Sequence, residues 1–401
     1  MKPKFFRKVL DNGMIVIFEK RDIPVVAVSF AVRHGGINED FSEKGISHFI
    51  EHMLYKGTPT RNALQISSEI EKNGGDLNGL TDEAITLYYC KMPSIHLDIA
   101  LEVLSDMVKN PVFSEEEINK ERKVIFEEMK MRKDNPRIHV LDKAQSFLYD
   151  APFGLDLIGT EETMGSIDRK KIVEKFKEVY KPNNMILCVV GDADFNELVS
   201  FVEKNFSKEK GKVNSFEIKK INKTHIEKRK GIDQANLVFS YHVPLAGDKQ
   251  SYAAKLLSVL MGGGLSSRLF NEIREKRNLA YSVKADSIIT KDYAYSFVYV
   301  GTTKENVEKV KKLILEEFKK VSGELDEKEL NEVKEQIIGN YQISMEDSQS
   351  QMMNLLSFEI NGNAQNFYEF EKNIKEVKLE EVKEISKLPL EKNSFFALIP
   401  E

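Results

Sequence analysis

The two halves of this 401-residue chain repeat one order of predicted elements. In each half a β-rich run leads to a helical pattern and then to a helix that begins with an acidic cap. The segments are ITLYYCKMP, SIHLDIALEVLSDMVKN and SEEEINKERKVIFEEMKM in the first half, and AYSFVYVGT, TKENVEKVKKLILEEFKKV and DEKELNEVKEQIIGNYQIS in the second. We therefore expect an α+β fold of two structurally similar domains, each an antiparallel-rich sheet packed by helices.

The repeat also shows where the two halves differ in chemistry. An alignment that sets Ser114 against Asp326 produces two unlike pairs, Glu121 opposite Val333 and Glu128 opposite Asn340. A function that depends on these two carboxylates is therefore confined to the N-terminal half.

Between the halves lies a segment with almost no apolar periodicity, residues 207–222 (SKEKGKVNSFEIKKIN). Its Lys, Glu and Ser content is typical of an exposed connection between domains. We therefore predict an N-terminal domain at 1–206, a linker at 207–222 and a C-terminal domain at 223–401.

Charge and hydropathy exclude several classes of protein. The 59 basic and 64 acidic residues give a net charge of −5 and form no long block of one sign, so we expect no nucleic-acid partner. Wholly apolar stretches such as Val25–Val28 are far shorter than the ~20 residues of a spanning helix, so we expect no membrane segment.

The expected location is the cytoplasm. Cys90 and Cys188 are the two cysteines, and each lies inside an apolar or aromatic run, which is typical of buried thiols in a reducing compartment. The first ten residues, MKPKFFRKVL, are basic but lead into a turn signal at Asn12-Gly13 without the apolar core of a signal peptide.

The strongest chemical signal is the H-x-x-E-H pattern HFIEH at residues 48–52, within a helical segment. At about 100° per residue, His52 lies roughly 40° from His48 and Glu51 roughly 60° on the other side, so the three share one stripe. The opposite face of the segment is apolar and consists of Ile46, Phe49, Ile50, Met53 and Leu54. The helix can therefore bury one side and hold two imidazoles and a carboxylate toward a cavity.

Two imidazoles on adjacent turns suit a catalytic zinc ion, which takes about three protein ligands and keeps one position open. Glu51 has two possible roles, as a ligand or as the general base that deprotonates a water at the ion. We favour the base, because as a ligand Glu51 would crowd the hemisphere that the histidines occupy. The pattern is the reverse of H-E-x-x-H and is among the zinc peptidase signatures.

A third ligand is expected from the helix ERKVIFEEMKM. Glu121 and Glu128 are seven residues apart and about 20° out of register, so they share one stripe. A carboxylate on an apolar face must be paired or metal-bound, and the residues that flank this stripe are Ile118, Val124, Ile125 and Met129. Seven residues rise about 10.5 Å, so both carboxylates cannot coordinate one ion. One is a ligand and the other supports the site, and the spacing leaves open which.

These motifs resemble the pitrilysin or insulinase family of inverted-motif zinc peptidases, and in particular its short members such as mitochondrial processing peptidase. The likeness covers nearly the whole chain, in family order, through DNGMIVIFE, GISHFIEHMLYKGT, GGDLNGLTDEAITLYY and GGGLSSRLFNEIREKRNLAYSV. The resemblance implies that the chain is one half of a clamshell and holds one zinc ion through His48, His52 and Glu128. It also implies that Glu121 is the supporting carboxylate.

The resemblance assigns further residues to the substrate. Arg274 and Tyr281 match a pair seven apart in the family's zinc-less C-terminal domain, which reaches across the cleft to the substrate backbone and the developing oxyanion. The family usually has Asn-Ala where this chain has Asn78-Gly79, a departure that bears on substrate positioning. We expect an extended peptide to add as a strand beside ITLYYC, near Asn78.

We predict a zinc metalloendopeptidase that hydrolyses peptides or unfolded polypeptides. Because short family members commonly form dimers, the resemblance implies a homodimer; one half of a hetero-oligomeric processing peptidase, with a zinc-less partner, is the alternative assembly. Two other functions compete, a non-catalytic core or assembly subunit of the same fold and a zinc hydrolase with a non-peptide substrate. Assembly alone would not require two buried acids and a polar stripe, which favours the enzyme.

Overall fold

Eleven β-strands form two sheets in the computed structural model, which describes residues 4–401. The strands of the first sheet are β1 (Lys4–Val9), β2 (Ile15–Lys20), β3 (Val25–Val32), β4 (Asp76–Thr81), β5 (Thr86–Pro93) and β6 (Met185–Gly191). The strands of the second are β7 (Thr224–Arg229), β8 (Ala235–His242), β9 (Ala280–Ile289), β10 (Ala294–Thr302) and β11 (Ser394–Pro400).

Fifteen α-helices in this part of the chain surround the sheets. They are α1 (Ile46–Leu54), α2 (Ala63–Glu71), α3 (Leu97–Lys109), α4 (Glu115–Asp134), α5 (Pro136–Leu148), α6 (Glu161–Ser166), α7 (Arg169–Val179), α8 (Phe195–Asn205), α9 (Gln250–Gly262), α10 (Val307–Glu324), α11 (Glu327–Ser344), α12 (Ser348–Ile360), α13 (Phe370–Glu376), α14 (Leu379–Ile385) and α15 (Leu388–Glu391). A π-helical turn, Phe270–Glu275, precedes β9. Within residues 4–401, no helix has the length and apolar character needed to cross a membrane.

The two sheets share one strand order, which confirms the expected α+β fold with two similar domains. The first sheet runs β1-β2-β6-β3-β5-β4 and the second runs β7-β11-β8-β10-β9. Each contains one parallel pair, β2 with β6 and β7 with β11, while the other neighbours are antiparallel. Apart from β1, every strand of the first sheet therefore has a counterpart in the second.

The chain forms two compact units that are not contiguous in sequence. Unit 1 contains the described residues through Glu128, together with Asp156–Glu217 and Ser344–Phe367. Unit 2 contains Met129–Leu155, Ile218–Ile343 and Tyr368–Glu401. Residues 206–223 hold no helix or strand beyond an isolated bridge at Lys220, and one boundary between the units lies within this segment.

These units differ from the predicted division at 1–206, 207–222 and 223–401, because two helices belong to the other unit. Helix α5 lies in unit 2 and packs on β8 and β11, with Val140, Ala144 and Leu148 buried. Helix α12 lies in unit 1 and packs on β3 and β6. Side chains hold α12 there, since Glu359 pairs with Arg7 at 2.7 Å and Gln351 donates to Glu19 Oε2 at 2.6 Å. Periodicity identifies an apolar helix face but not the sheet that covers it.

The edge strand beside β5 is β4, and β1 lies at the opposite edge of the first sheet. Strand β5, which contains the TLYYC run, pairs with β3 on one side and with β4 on the other. A peptide has no open edge beside β5, so the prediction that substrate adds beside this strand is wrong. The edge near Asn78 is that of β4, which pairs only with β5 among the described residues.

Helix α1 begins at a glycine that the packing requires. Gly45 has φ +93°, and a side chain there would lie 2.8 Å from the Gly159 backbone. The apolar face of α1 is buried as predicted, with Ile46, Phe49, Ile50, Met53 and Leu54 at most 1% exposed. This burial orients the opposite, polar stripe of α1 and thereby positions the candidate site.

Candidate metal centre

Helices α1 and α4 bring three predicted ligands together within unit 1. Each of His48, His52 and Glu128 offers one ligand atom, and the three atoms lie within 4.8 Å of one another. Glu128 Oε2 is 3.5 Å from His48 Nε2 and 3.7 Å from His52 Nε2. Ligand atoms bound at 2.0–2.1 Å to a tetrahedral zinc ion are about 3.3 Å apart. The nitrogen and oxygen donors therefore fit a zinc ion in both type and spacing.

The two histidines are adjacent because they are four residues apart on α1. Their ring centroids are 4.6 Å apart and the rings meet edge to face. His48 is buried and His52 is partly buried, whereas the Glu128 side chain is 25% exposed. The cluster thus lies at the surface of unit 1 rather than inside its core, which leaves access for a water or a substrate.

Glu121 occupies a different position from Glu128. Its Oε2 is 3.1 Å from His52 Nδ1, and its Oε1 is 2.7 Å from Lys56 Nζ. A proton on Nδ1 donated to this carboxylate leaves Nε2 of His52 as the atom available to a metal. The spacing left open which of the two acids is the ligand. The geometry places Glu128 in the cluster and Glu121 against the far nitrogen of His52.

The carboxylates of Glu121 and Glu128 also favour the protonated form of His52. Burial alone would lower the pKa of His52, but hydrogen bonds to Glu128 and Glu121 outweigh it and raise the pKa above its ordinary value. Two acids facing two imidazoles thus make the cluster attractive to a cation.

The predicted apolar flank of α4 is incomplete, since Val124 is 49% exposed while Ile118 and Ile125 are buried.

Glu51 lies beside the cluster and is oriented by β4. Thr81 Oγ1 donates to Glu51 Oε2 at 2.6 Å. Burial, with a smaller contribution from the Glu128 charge, raises the pKa of Glu51, although the Thr81 hydrogen bond opposes this. A carboxylate with a raised pKa can accept a proton near neutral pH and release it again, as a general base must.

Of the residues expected at the substrate, Asn78 lies on the edge strand β4. Its side-chain amide donates to Asp76 Oδ2 at 2.8 Å, and its backbone is in register with Tyr89 of β5. Its neighbour Gly79 approaches Glu51 closely, because a Cβ atom at 79 would lie 2.8 Å from Glu51 Oε1.

In unit 2, the structure places Arg274 and Tyr281 next to each other. Arg274 lies in the π-helical turn and Tyr281 in β9, and the guanidinium carbon is 5.5 Å from the tyrosine ring centroid. Both line an open cleft of ≈ 810 Å³ that also includes Gly262–Gly264. Tyr281 is 76% exposed and the Arg274 side chain is 39% exposed, so both side chains are accessible to a ligand.

Sequence reasoning missed three residues that contact this site, namely Tyr55, Lys56 and Thr81. Lys56 follows His52 by four positions, so the helical stripe that identified the histidines also points to it. Tyr55 follows Glu51 by four positions and carries the same signal. Thr81 carried none, because its contact with Glu51 depends on how β4 packs against α1.

Comparisons with known proteins find two matching family descriptions and several named relatives. The family description "Insulinase (Peptidase family M16)" matches residues 15–161, and "Peptidase M16 inactive domain" matches residues 166–337. A protein of Rickettsia felis named "Uncharacterized zinc protease" is 33% identical over 350 residues, which cover 86% of this chain and 85% of that protein. The "Uncharacterized zinc protease YmxG" of Bacillus subtilis is 31% identical over 351 residues, with 86% of each chain covered.

Solved structures share the fold across the whole chain. The crystal structure of a protease from Helicobacter pylori superposes with a TM-score of 0.91 at 23% identity, and covers 99% of this chain and 100% of that one. A structure from Pseudomonas fluorescens described as a peptidase M16 inactive domain has a TM-score of 0.89 at 19% identity, with 99% and 98% covered.

Proposed function

The chain belongs to the insulinase family, peptidase family M16, and from that premise we propose that it is a zinc metalloendopeptidase. One observation carries the proposal, the convergence of His48, His52 and Glu128 beside a buried Glu51. These are the ligand types and the acid–base group that metal-assisted hydrolysis needs. The zinc protease names of the relatives from Rickettsia felis and Bacillus subtilis support the same assignment.

His48, His52 and Glu128 would hold one zinc ion per chain, with Glu121 fixing the ring of His52. When bound, the ion supplies Lewis acidity, which polarises a carbonyl group and makes water nucleophilic near neutral pH. Glu121 and Lys56 keep the charge of the site balanced, because the lysine pairs with the carboxylate that does not reach the cluster.

Glu51 moves the proton in this mechanism. Thr81 holds one carboxylate oxygen, so the group keeps a constant orientation as it accepts a proton from the attacking water. The raised pKa of Glu51 favours uptake of this proton and lets the carboxyl hold it until it passes to the leaving amine, which is the stronger base. Breakage of the C–N bond then yields a new carboxylate and a new amine.

The substrates we propose are peptides and unfolded polypeptides. An extended chain can add to the free edge of β4 through main-chain hydrogen bonds, which select for extended backbone rather than for particular side chains. We further propose that Arg274 and Tyr281 bind the substrate backbone, and that the protein works in the cytoplasm as a homodimer. Neither a membrane nor a nucleic acid takes part in this proposal.

The decisive experiment combines zinc analysis with a digest of a mixed peptide pool. We expect about one zinc per chain, and fragments that disappear on chelation and in Glu51→Gln. Elemental analysis of Glu51→Gln is the control, because this variant should keep its zinc. Bound zinc without any cleavage would instead indicate an assembly subunit or a hydrolase of another substrate, and cleavage only after addition of a zinc-less partner would indicate a hetero-oligomeric peptidase.

A further inference from the structure

A buried hydroxyl group next to Glu51 has no role in the mechanism above. Tyr55 follows α1 directly and lies four positions after Glu51, so the two side chains are neighbours on one side of the helix. The hydroxyl oxygen of Tyr55 is buried and has no hydrogen-bond partner within residues 4–401. A buried hydroxyl that lacks a partner is costly, and such groups in native proteins usually have one in the working state.

A polar group close to this hydroxyl can be located through Gly79. A Cβ atom built on Gly79 would lie 2.5 Å from Tyr55 Oη and 2.8 Å from Glu51 Oε1. Both oxygens therefore occupy the space that a side chain at 79 would need. The phenol and the carboxylate thus meet over a glycine, and any larger residue there would displace one of them.

The two oxygens of Glu51 have different surroundings. Oε2 accepts the 2.6 Å hydrogen bond from Thr81, while Oε1 faces Gly79 and the Tyr55 hydroxyl. Both oxygens border the space over Gly79, so the hydroxyl becomes a donor to Oε1 when either side chain rotates toward the other. Glu51 would then be held at both oxygens, by Thr81 on one side and by Tyr55 on the other.

We propose that Tyr55 is a positioning residue for Glu51, whose hydroxyl donates a hydrogen bond to Oε1 in space that Gly79 leaves open. This inference rests on the proposed role of Glu51 as the base. A carboxylate held at both oxygens presents its remaining lone pairs in one direction, toward the metal cluster. Tyr55 and Gly79 therefore depend on each other, because the hydroxyl occupies the space that a side chain at position 79 would need.

Activity measurements on two substitutions, at Tyr55 and at Gly79, test whether these residues share the space beside Glu51. Tyr55→Phe should lower kcat about tenfold with KM changed less than twofold, because one hydrogen bond to a charged group is lost. Gly79→Ala should lower kcat further, since the methyl group pushes on both oxygens. In the double variant the contact with the hydroxyl is gone and only the contact with Glu51 Oε1 remains, so the combined loss of kcat should be smaller than the product of the two single losses. Two losses that multiply in the double variant would overturn the shared-space argument.

Unfolding of the metal-free protein tests the same contact without catalysis. If Tyr55 bonds to Glu51, Tyr55→Phe lowers the urea midpoint, and the effect disappears in a Glu51→Ala background. If the hydroxyl has no partner, its removal raises the midpoint, and the proposal is overturned. A protein that passes this test yet cleaves no peptide would refute the proposed function while it retains the contact.

Tyr180→Phe is the matched control. Its hydroxyl bonds to Tyr88 Oη at 2.8 Å, and both side chains are buried in unit 1. The control removes the same group from the same unit, but from a tyrosine pair rather than from Glu51. It should lower the urea midpoint equally in the wild-type and Glu51→Ala backgrounds, and leave kcat within twofold.

Discussion

Helices α4 and α11 occupy the same place in the two repeats and carry opposite chemistry. In unit 1, Glu121 is buried and Glu128 belongs to the candidate metal cluster. Their counterparts in unit 2 are Val333, which is buried, and Asn340, which is exposed. One scaffold therefore tolerates either a pair of acids or none, and the difference depends on what the facing helix supplies.

In unit 1, helix α1 and the residues after it supply partners that stabilise the buried carboxylate of Glu121. Lys56 and His52, from α1 and the residues that follow it, both contact Glu121. A buried carboxylate is stable only when such partners accompany it, whereas a buried valine needs none. In unit 1 the buried acid and the candidate metal cluster share His52, so a change at one should affect the other.

The largest expected effect comes from removal of the proposed third ligand. Glu128→Gln should release the zinc ion and lower kcat/KM by roughly a thousandfold, because a catalytic ion contributes several kcal/mol to the transition state. Zinc analysis and peptide cleavage measure both outcomes. Glu127→Gln, one position earlier on α4, is the control and should change neither. Full zinc content in Glu128→Gln would remove this residue from the site.

The second prediction introduces the acids of unit 1 into unit 2. Val333→Glu should lower the free energy of unfolding by about 3 kcal/mol, because the carboxylate loses its hydration without the partners that Glu121 has. Asn340→Glu, at the exposed counterpart of Glu128, should change it by less than about 0.5 kcal/mol. Urea unfolding measures both. Equal effects would mean that burial does not distinguish the two positions.

Glu121 should affect the metal less than Glu128 does, since it acts through His52. Glu121→Gln is expected to weaken zinc binding by roughly 10–100-fold, which is typical when the partner of a ligating histidine is lost. Competition with a chelator gives the affinity. Glu117→Gln, in the first turn of the same helix, is the control for charge alone. An unchanged affinity in Glu121→Gln would argue that the His52 ring is oriented by its packing.

How much of this site the sequence predicts depends on the range of the contacts. The stripe of His48, Glu51 and His52 follows from helical periodicity, and so does the shared face of Glu121 and Glu128, because these relations lie within one helix. The helix rise shows that one ion cannot bind both acids, but the choice between them requires the distance from α4 to α1. That distance is a property of packing, which no local pattern contains.

Contacts between distant segments were the ones that the sequence could not predict. The amphipathic pattern of α12 is the same whichever sheet covers it, so its place in unit 1 was not visible. Strand order depends on pairing across the sheet, so the sequence predicts a substrate strand near Asn78 but does not show that β4 lies between β5 and this edge. Thr81 and Gly79 became recognisable as neighbours of Glu51 only when β4 was placed against α1.

A pH measurement sharpens the comparison of the two units. His34 in unit 1 is 2% exposed, and its burial lowers its pKa to about 3. As the pH falls below about 6.5 the unfolded chain binds a proton at this histidine but the folded chain does not, so stability is lost progressively down to pH 3. The loss should reach about 2 kcal/mol at pH 5, at about 1.4 kcal/mol for each pH unit.

Substitution isolates the contribution of this histidine. In His34→Gln the difference in urea midpoint between pH 7 and pH 5 should shrink, because neither state titrates at position 34. His225→Gln in unit 2, where the histidine is exposed, should leave that difference unchanged. The same pH dependence in both variants would assign the acid sensitivity to other groups.

The smallest expected effect tests whether unit 2 takes part in the reaction at all. Arg274→Ala should lower kcat/KM about tenfold, the value of one charge-assisted hydrogen bond to the substrate backbone, and leave the zinc content unchanged. Arg277→Ala is the matched control, because Arg277 donates instead to the Glu272 backbone at 2.9 Å. If only Arg274→Ala reduces turnover, unit 2 contributes binding while unit 1 contributes chemistry. If neither does, the exposed pair of Arg274 and Tyr281 has no role in turnover and unit 2 serves as a scaffold. If both do, the loss is not specific to Arg274, and its proposed contact with the substrate is contradicted.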